Sequence, residues 1–252
     1  MERFFMRTIL LLLSLMLALP CAVAGNDDNY ALLAKKERMF YNAREWPGAH
    51  AMLLMMIDEK PRSADLYGRD IVVQSLMNDT LGAVESLDKA MANHVPFDSV
   101  FFHIKETSFS LGRSELYERF LVRVKDSHAW LARTIDNYLL EYYCFRRNGG
   151  KMVEFSKIML AGLPDNVNFL TILAEGYLLE GETENSMLAY RQVLHFSPEN
   201  YQALLYLGNY HFNRWMTTAV ADDAEQARKF LSRAYEVKPS PYVKLRLEQL
   251  AR

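Results

Sequence analysis

Residues Asn166–Asn200 read NVNFLTILAEGYLLEGETENSMLAYRQVLHFSPEN, and this stretch decides the fold. Its first half repeats apolar residues at spacings of three and four, which places them on one face of a helix: Leu170, Leu173, Ala174 and Tyr177. Gly181 then interrupts the helical pattern and opens a turn. A second helical pattern follows and stops at Pro198, because proline cannot continue a helix.

The prolines of the chain show that this unit is repeated. Five of them define the period: Pro61, Pro96, Pro164, Pro198 and Pro239. The successive differences in their numbering are 35, 68, 34 and 41, where 68 is twice 34 and 41 is 34 plus seven. A unit of about 34 residues therefore runs through the chain. One proline is missing near Trp130, and one insertion of seven residues precedes Pro239.

The residues before four of these prolines follow one pattern. A small residue is followed four positions later by a large residue, and three positions after that by a small or apolar residue. The four sets are Ala49, Leu53 and Met56; Ala83, Leu87 and Ala90; Ser186, Tyr190 and Val193; and Ala227, Leu231 and Ala234. These three positions share one helical face. The small first residue allows the backbone of a neighbouring helix to approach closely, so we expect Ala83 and Ala227 to be buried at helix crossings.

At these residues the chain resembles the tetratricopeptide repeat family, whose unit of about 34 residues has the pattern W-x2-L-G-x2-Y, A-x3-F-x2-A and a final proline. Asn166–Asn200 matches best and Tyr201–Ser240 next, whereas Lys36 and Glu37 depart from the pattern in the first unit. The resemblance implies an all-α fold, a right-handed superhelix of stacked antiparallel helix pairs whose first helices line a concave face. No strand is expected.

The period predicts a single repeat domain over residues 25–252. It divides into about six helix pairs, with approximate bounds 30–62, 63–97, 98–130, 131–165, 166–200 and 201–240. The remaining segment, 241–252, is amphipathic and is predicted to be a capping helix that covers the last pair.

The first 24 residues have the pattern of a secretory signal peptide. Arg3 and Arg7 precede an apolar run, Ile9–Leu19, and a small-x-small site ends at Ala24. The run is too short to cross a bilayer comfortably, so we expect cleavage after Ala24 and no membrane span in the mature chain. The exported protein would be periplasmic or extracellular. Lipid attachment at Cys21, which follows Pro20, and an uncleaved anchor stay open as alternatives.

Composition argues against several other classes of function. The net charge of the 252 residues is −2, so there is no basic excess that would neutralise nucleic-acid phosphates. No pair among the six histidines has the i, i+4 spacing of a helical zinc site, and no phosphate-binding or nucleophile-elbow motif occurs. We expect no cofactor, no metal and no catalytic site. Cys144 would be a buried small apolar residue.

The resemblance implies that the concave face binds an extended peptide or a helix of a partner protein. The residues whose phase places them on that face are Arg38, Tyr41, Asn42, Tyr67, Ser75, Glu175, Leu178, Leu179, Asn209, Phe212 and Asn213. Their aromatic members could instead pack between repeats. We expect a non-catalytic adaptor. A structural subunit of an envelope complex and an enzyme whose site no motif reveals are the alternatives.

The insertion near Thr217–Asp223 adds a second candidate surface. The seven extra residues either extend the two helices that they separate or form a loop. Arg214 and Trp215 precede them, and an exposed tryptophan beside an arginine is typical of interface hot spots. We hypothesise that this corner, together with Asn209 and Phe212, forms part of the partner site. The alternative is that Trp215 packs into its own repeat.

Overall fold

The computed structural model describes residues 24–251, so the predicted signal peptide and its alternatives lie almost wholly outside the described residues. Within that range the chain forms thirteen α-helices and one 3₁₀ turn, Ala129–Leu131, and contains no strand. The predicted all-α fold class is confirmed. The helices are α1 (Ala24–Ala43), α2 (Trp46–Glu59), α3 (Ala64–Leu76), α4 (Thr80–Ala92), α5 (Phe97–Ser110), α6 (Glu115–Ser127), α7 (Ala132–Arg146), α8 (Gly149–Gly162), α9 (Val167–Leu179), α10 (Thr183–Phe196), α11 (Tyr201–Thr218), α12 (Ala221–Val237) and α13 (Pro241–Leu250).

The chain divides into two compact units, one ending at Val124 and the other beginning at Lys125, so the boundary falls inside α6. In the first unit α1 packs on α2, α2 on α3, and α3 on both α4 and α5. Phe101 and Phe120 are buried there, with an edge-to-face contact between rings whose centroids lie 6.0 Å apart. The single repeat domain stays a prediction.

In the second unit each helix from α7 to α13 packs on the next one along the chain. Two hydrophobic clusters hold it together, one centred on α9, α10 and α11 and the other on α11, α12 and α13. The small positions of the repeat pattern are buried in both units, as the pattern predicts: Ala49, Ala83, Ser186 and Ala227. Helices that lack a large side chain at the crossing can approach closely and exclude water.

Asparagines fix where successive helix pairs begin in this unit. The Asn166 side chain accepts a hydrogen bond from the Phe169 backbone N–H at 3.1 Å, and Asn200, at the same position of the next repeat, accepts one from Ala203 at 3.0 Å. These N-caps satisfy backbone donors that the first turn of a helix leaves without a partner. Gly181 adopts φ +77° in the turn between α9 and α10, a conformation that glycine reaches without steric cost.

The predicted insertion lengthens both helices that flank it. Helices α11 and α12 have 18 and 17 residues, whereas α9 and α10 of the preceding pair have 13 and 14. The turn between the longer helices is only Ala219–Val220, where Ala219 has a left-handed φ of 56°. Of the two outcomes that the sequence left open, helix extension is the one that occurs.

Candidate functional site

A groove of about 300 Å³ lies in the second unit around Glu175, one of the predicted partner-binding residues. Helices α7 to α11 all contribute to its lining, which consists of Cys144, Arg147, Met152, Glu175, Leu178, Leu179, Tyr190 and Gln202. One helix, α9, carries Glu175, Leu178 and Leu179. This helix therefore presents both the charge and the apolar surface of the groove. The structure therefore brings together three of the residues assigned to the concave face.

The polar part of this groove is a short hydrogen-bond chain. The Gln202 side-chain amide donates to the Glu175 carboxylate, and also lies 3.4 Å from the Tyr190 hydroxyl. Burial, reinforced by the nearby Glu175 charge, raises the pKa of Tyr190 to about 12, so this phenol keeps its proton near neutral pH. The groove thus offers a carboxylate, a carboxamide and a phenol, which are groups that can pair with a peptide backbone.

The apolar part is formed by Leu178 and Leu179, which are 45% and 39% exposed at the end of α9. Cys144 lies beside them, and burial together with the Glu175 and Glu141 charges raises the pKa of its thiol to about 11. A thiol with such a pKa is protonated at neutral pH and therefore a poor nucleophile. Cys144 contributes to the groove as a small, half-buried residue and not as a reactive thiolate.

The predicted corner at the last repeat is covered by α13. The Tyr242 hydroxyl donates to the Asn209 side chain at 2.9 Å, and the Arg246 guanidinium donates to the Asn213 side chain at 3.3 Å. The same guanidinium lies 4.2 Å from the centre of the Phe212 ring, a cation–π contact. The three predicted residues therefore hold the final helix in place.

The exposure of Phe212 and Trp215 also differs from that expected of a partner site. Phe212 is only 3% exposed because it packs in the cluster of α11, α12 and α13, which corrects the expectation that its ring faces a partner. Trp215 is half-buried and packs edge-on against Phe212 with the ring centres 5.7 Å apart. This is the packing of Trp215 into its own repeat that the sequence left as the alternative.

Three further predicted residues lie on α1 in the first unit. Arg38 and Asn42 are exposed, while Tyr41 is half-buried and its ring packs edge-on against Trp46 at 5.5 Å. Burial raises the pKa of Tyr41, and Arg69 beside it has the opposite effect. Glu175 belongs to the other unit. Their role in binding stays a prediction.

Of the other residues phased to the inner face, Tyr67 and Ser75 are engaged within the first unit. Tyr67 is fully buried, and its hydroxyl donates to the Pro61 carbonyl at 3.1 Å. The Ser75 hydroxyl donates to the backbone carbonyl of Ile71 at 2.7 Å. The structure therefore corrects the placement of Tyr67 on a binding face, because its ring belongs to the core.

Comparison with solved structures supports the fold that the resemblance implies. The C-terminal part of a TPR repeat-containing protein from Cytophaga hutchinsonii superposes with a TM-score of 0.50 at 13% identity, covering 86% of this chain and 84% of that one. The chain has the tetratricopeptide-repeat fold. No protein-family model and no curated protein matches the sequence.

Two other solved structures match with lower scores. PilF of Pseudomonas aeruginosa has a TM-score of 0.44 at 15% identity, covering 90% of this chain and 98% of that chain. A candidate protein-binding protein of Bacteroides ovatus has a TM-score of 0.45 at 19% identity, covering 75% and 97%. At such identities a structural likeness concerns the fold and not the function.

The helices of the first unit also enclose a polar network that was not predicted from the sequence. Asp70 is fully buried on α3 and accepts hydrogen bonds from Gln74 and Ser86, each at 2.6 Å, while the His50 ring nitrogen Nδ1 lies 2.6 Å from its other oxygen. The visible signal was an aspartate directly before the apolar run Ile71–Val73. Ser86 donates to Asp70 and not to His50, which differs from the Ser-His-Asp order that activates a serine.

A second buried pair joins α11 and α12 of the other unit. The His211 ring nitrogen Nδ1 lies 2.8 Å from an Asp223 carboxylate oxygen, and the Arg214 guanidinium lies 3.3 Å from the other oxygen. Asp223 falls within the extra residues of the last repeat, so the insertion supplies the partner of a buried histidine. This contact was not predicted from the sequence.

Residues 24–251 contain no group of three or more histidine, cysteine or carboxylate side chains placed to hold a metal ion. In the same range, none of the helices combines the length and the apolar character that crossing a bilayer requires.

Proposed function

We propose that this chain is a non-catalytic adaptor that binds an extended segment of a partner protein in the groove around Glu175. The observation that carries the proposal is the pair of exposed leucines, Leu178 and Leu179, beside the hydrogen-bonded Glu175 and Gln202. An apolar surface bordered by a few fixed polar groups is typical of peptide-binding sites.

The groove suits a peptide that places one apolar side chain against the leucines. Burying such a side chain contributes about 1.5–3 kcal/mol. The Glu175 carboxylate can accept a backbone N–H of the peptide, and the Gln202 carboxamide can pair with a backbone carbonyl. The protonated thiol of Cys144 and the protonated phenol of Tyr190 favour binding over nucleophilic chemistry in the same groove.

The N-terminal pattern supports the further proposal that this adaptor acts in the cell envelope or outside the cell. A structural subunit of an envelope complex, lipid-anchored through Cys21, is the second candidate, because that cysteine lies at the end of the apolar run. Labelling with a radioactive fatty acid distinguishes the two, because only the anchored form incorporates the label at Cys21.

Affinity capture from the native cell envelope tests the groove. The bait is the mature chain, compared with the double variant Leu178→Asp, Leu179→Asp and with Leu81→Asp as a matched control, because Leu81 is exposed on α4 of the other unit. We expect one partner to be recovered by the parent and the control and lost with the double variant. Equal recovery by all three folded baits would remove the groove from the binding site.

A further inference from the structure

A second, chemically different groove of about 520 Å³ lies between α10 and α12 of the second unit. Its charged lining is mainly basic: Arg191 on α10 and Lys229 and Arg233 on α12, with Asp222 as the acidic residue. Arg191 and Lys229 are exposed, while Arg233 is half-buried and donates to the Pro198 carbonyl at 2.6 Å. The groove therefore presents positive charge on a chain whose net charge is −2.

His211 belongs to the lining of this groove and has one uncommitted nitrogen. Its side chain is only 5% exposed, and Nδ1 lies 2.8 Å from the Asp223 carboxylate. The ring packs parallel to Phe230, with an interplanar angle of 13°. Within residues 24–251, Nε2 is buried and has no hydrogen-bond partner. A buried polar atom without a partner is destabilising, so a ligand group that formed a hydrogen bond with Nε2 would remove a defect of the free protein.

The basic groove continues into an apolar one. Arg191 and His195 also line a neighbouring depression of about 570 Å³, together with Leu188 and Phe196. These two side chains are 53% and 46% exposed, and the Phe196 ring packs edge-on against His195. Exposed leucine and phenylalanine side chains beside arginine and lysine form a strip that is apolar at one end and cationic at the other.

We infer that this strip binds an acidic peptide segment of a partner protein. The carboxylates of the segment pair with Arg191 and Lys229, a backbone N–H of the segment donates to Nε2 of His211, and its apolar side chains cover Leu188 and Phe196. The inference does not depend on the proposed function, because the Glu175 groove shares no lining residue with this strip.

The probe for the test is a short fluorescein-labelled peptide that alternates glutamate with leucine and phenylalanine, measured by fluorescence polarisation at low salt. We expect the double variant Arg191→Glu, Lys229→Glu to weaken binding at least tenfold, because charge reversal opposes an acidic ligand. Lys36→Glu is the matched control, since Lys36 is exposed on α1 in the other unit, and its affinity should equal that of the parent.

Two more measurements make the inference specific. His211→Gln should weaken peptide binding about fivefold, the loss expected for one hydrogen bond between neutral groups, with circular dichroism verifying the fold. A peptide with glutamine in place of glutamate should not bind. Unchanged affinity in the charge-reversed protein would overturn the inference. So would binding of inorganic phosphate or anionic lipid vesicles without binding of the acidic peptide, since either result identifies another kind of ligand.

Discussion

Three serine hydroxyls, on α5, α8 and α10, are buried without a hydrogen-bond partner in the described part of the chain: Ser108, Ser156 and Ser186. A buried hydroxyl without a partner lowers the free energy of unfolding by about 1–3 kcal/mol, because it loses its hydrogen bonds to water. Ser186 holds the small position of the repeat pattern, which alanine holds at Ala49, Ala83 and Ala227. The helix crossing thus requires a small side chain at this position and makes no use of the hydroxyl.

Replacing Ser186 with alanine should therefore stabilise the chain. We expect Ser186→Ala to raise the free energy of unfolding by about 1 kcal/mol, because the unpaired hydroxyl is removed and alanine favours the helix. For a chain of this size the thermal midpoint should rise by roughly 2–4 °C. Ala189→Ser, at a buried position of the same helix, is the inverse control and should lower the midpoint. A Ser186→Ala protein that melts below the parent would show that the hydroxyl has an unrecognised partner.

The alkylation rate of Cys144 reports how strongly the Glu175 groove raises the pKa of its thiol. An ordinary cysteine has a pKa of 9.0, and burial raises the pKa of Cys144 to about 11, so the thiolate fraction at pH 8 is about a hundredfold smaller. We expect iodoacetamide to alkylate Cys144 at pH 8 about a hundredfold more slowly than the same cysteine in urea, and the rate to rise steadily towards pH 11. The Cys21→Ser chain isolates this thiol. A rate that levels off near pH 9 would contradict the elevated pKa.

At the scale of helices, the sequence predicted the pairs because proline and small-residue spacing directly report helix ends and crossings. It could not decide the fate of the insertion. Seven residues make nearly two helical turns, which fit as well in longer helices as in a loop. It also left open whether the Phe212 ring faces a partner or packs between helices, because that depends on where α13 packs, and helical phase alone does not specify the contacts of a terminal helix.

The small positions lead to a prediction about helix packing. Ala227 is fully buried on α12, in the same cluster as Leu231 and Phe212. We expect Ala227→Leu to lower the free energy of unfolding by roughly 1–3 kcal/mol, because three added carbons must be accommodated in a close-packed contact. Ala221→Leu, exposed at the start of the same helix, is the control for the change in side-chain type. Equal melting temperatures for the two variants would mean that the α11–α12 contact is loosely packed.

At the scale of the whole molecule, the second unit carries two candidate grooves of different chemistry. The Glu175 groove combines leucines with a carboxylate, whereas the strip along α10 and α12 combines apolar and cationic residues. Glu175 was predicted because it shares a helical face with Leu178 and Leu179. The strip was not predicted, because its cations come from helices of two successive repeats. In the sequence, each of these helices has only the pattern of an ordinary solvent-exposed face. A chain with both grooves could hold two segments of one partner or of two.

Such an adaptor meets envelope or extracellular partners only if the chain is exported, and the N-terminal pattern makes that testable. Signal peptidases require a small residue immediately before the cleavage site, which Ala24 provides. We expect the chain expressed in a bacterial host to be recovered outside the cytoplasm with Gly25 as its first residue, by mass spectrometry of the intact protein. Ala24→Asp should block cleavage, whereas Asn26→Asp, beyond the site, should not. A mature chain that begins at Cys21 and carries fatty acid would instead identify a lipoprotein, and an unprocessed chain in the membrane fraction would identify an uncleaved anchor.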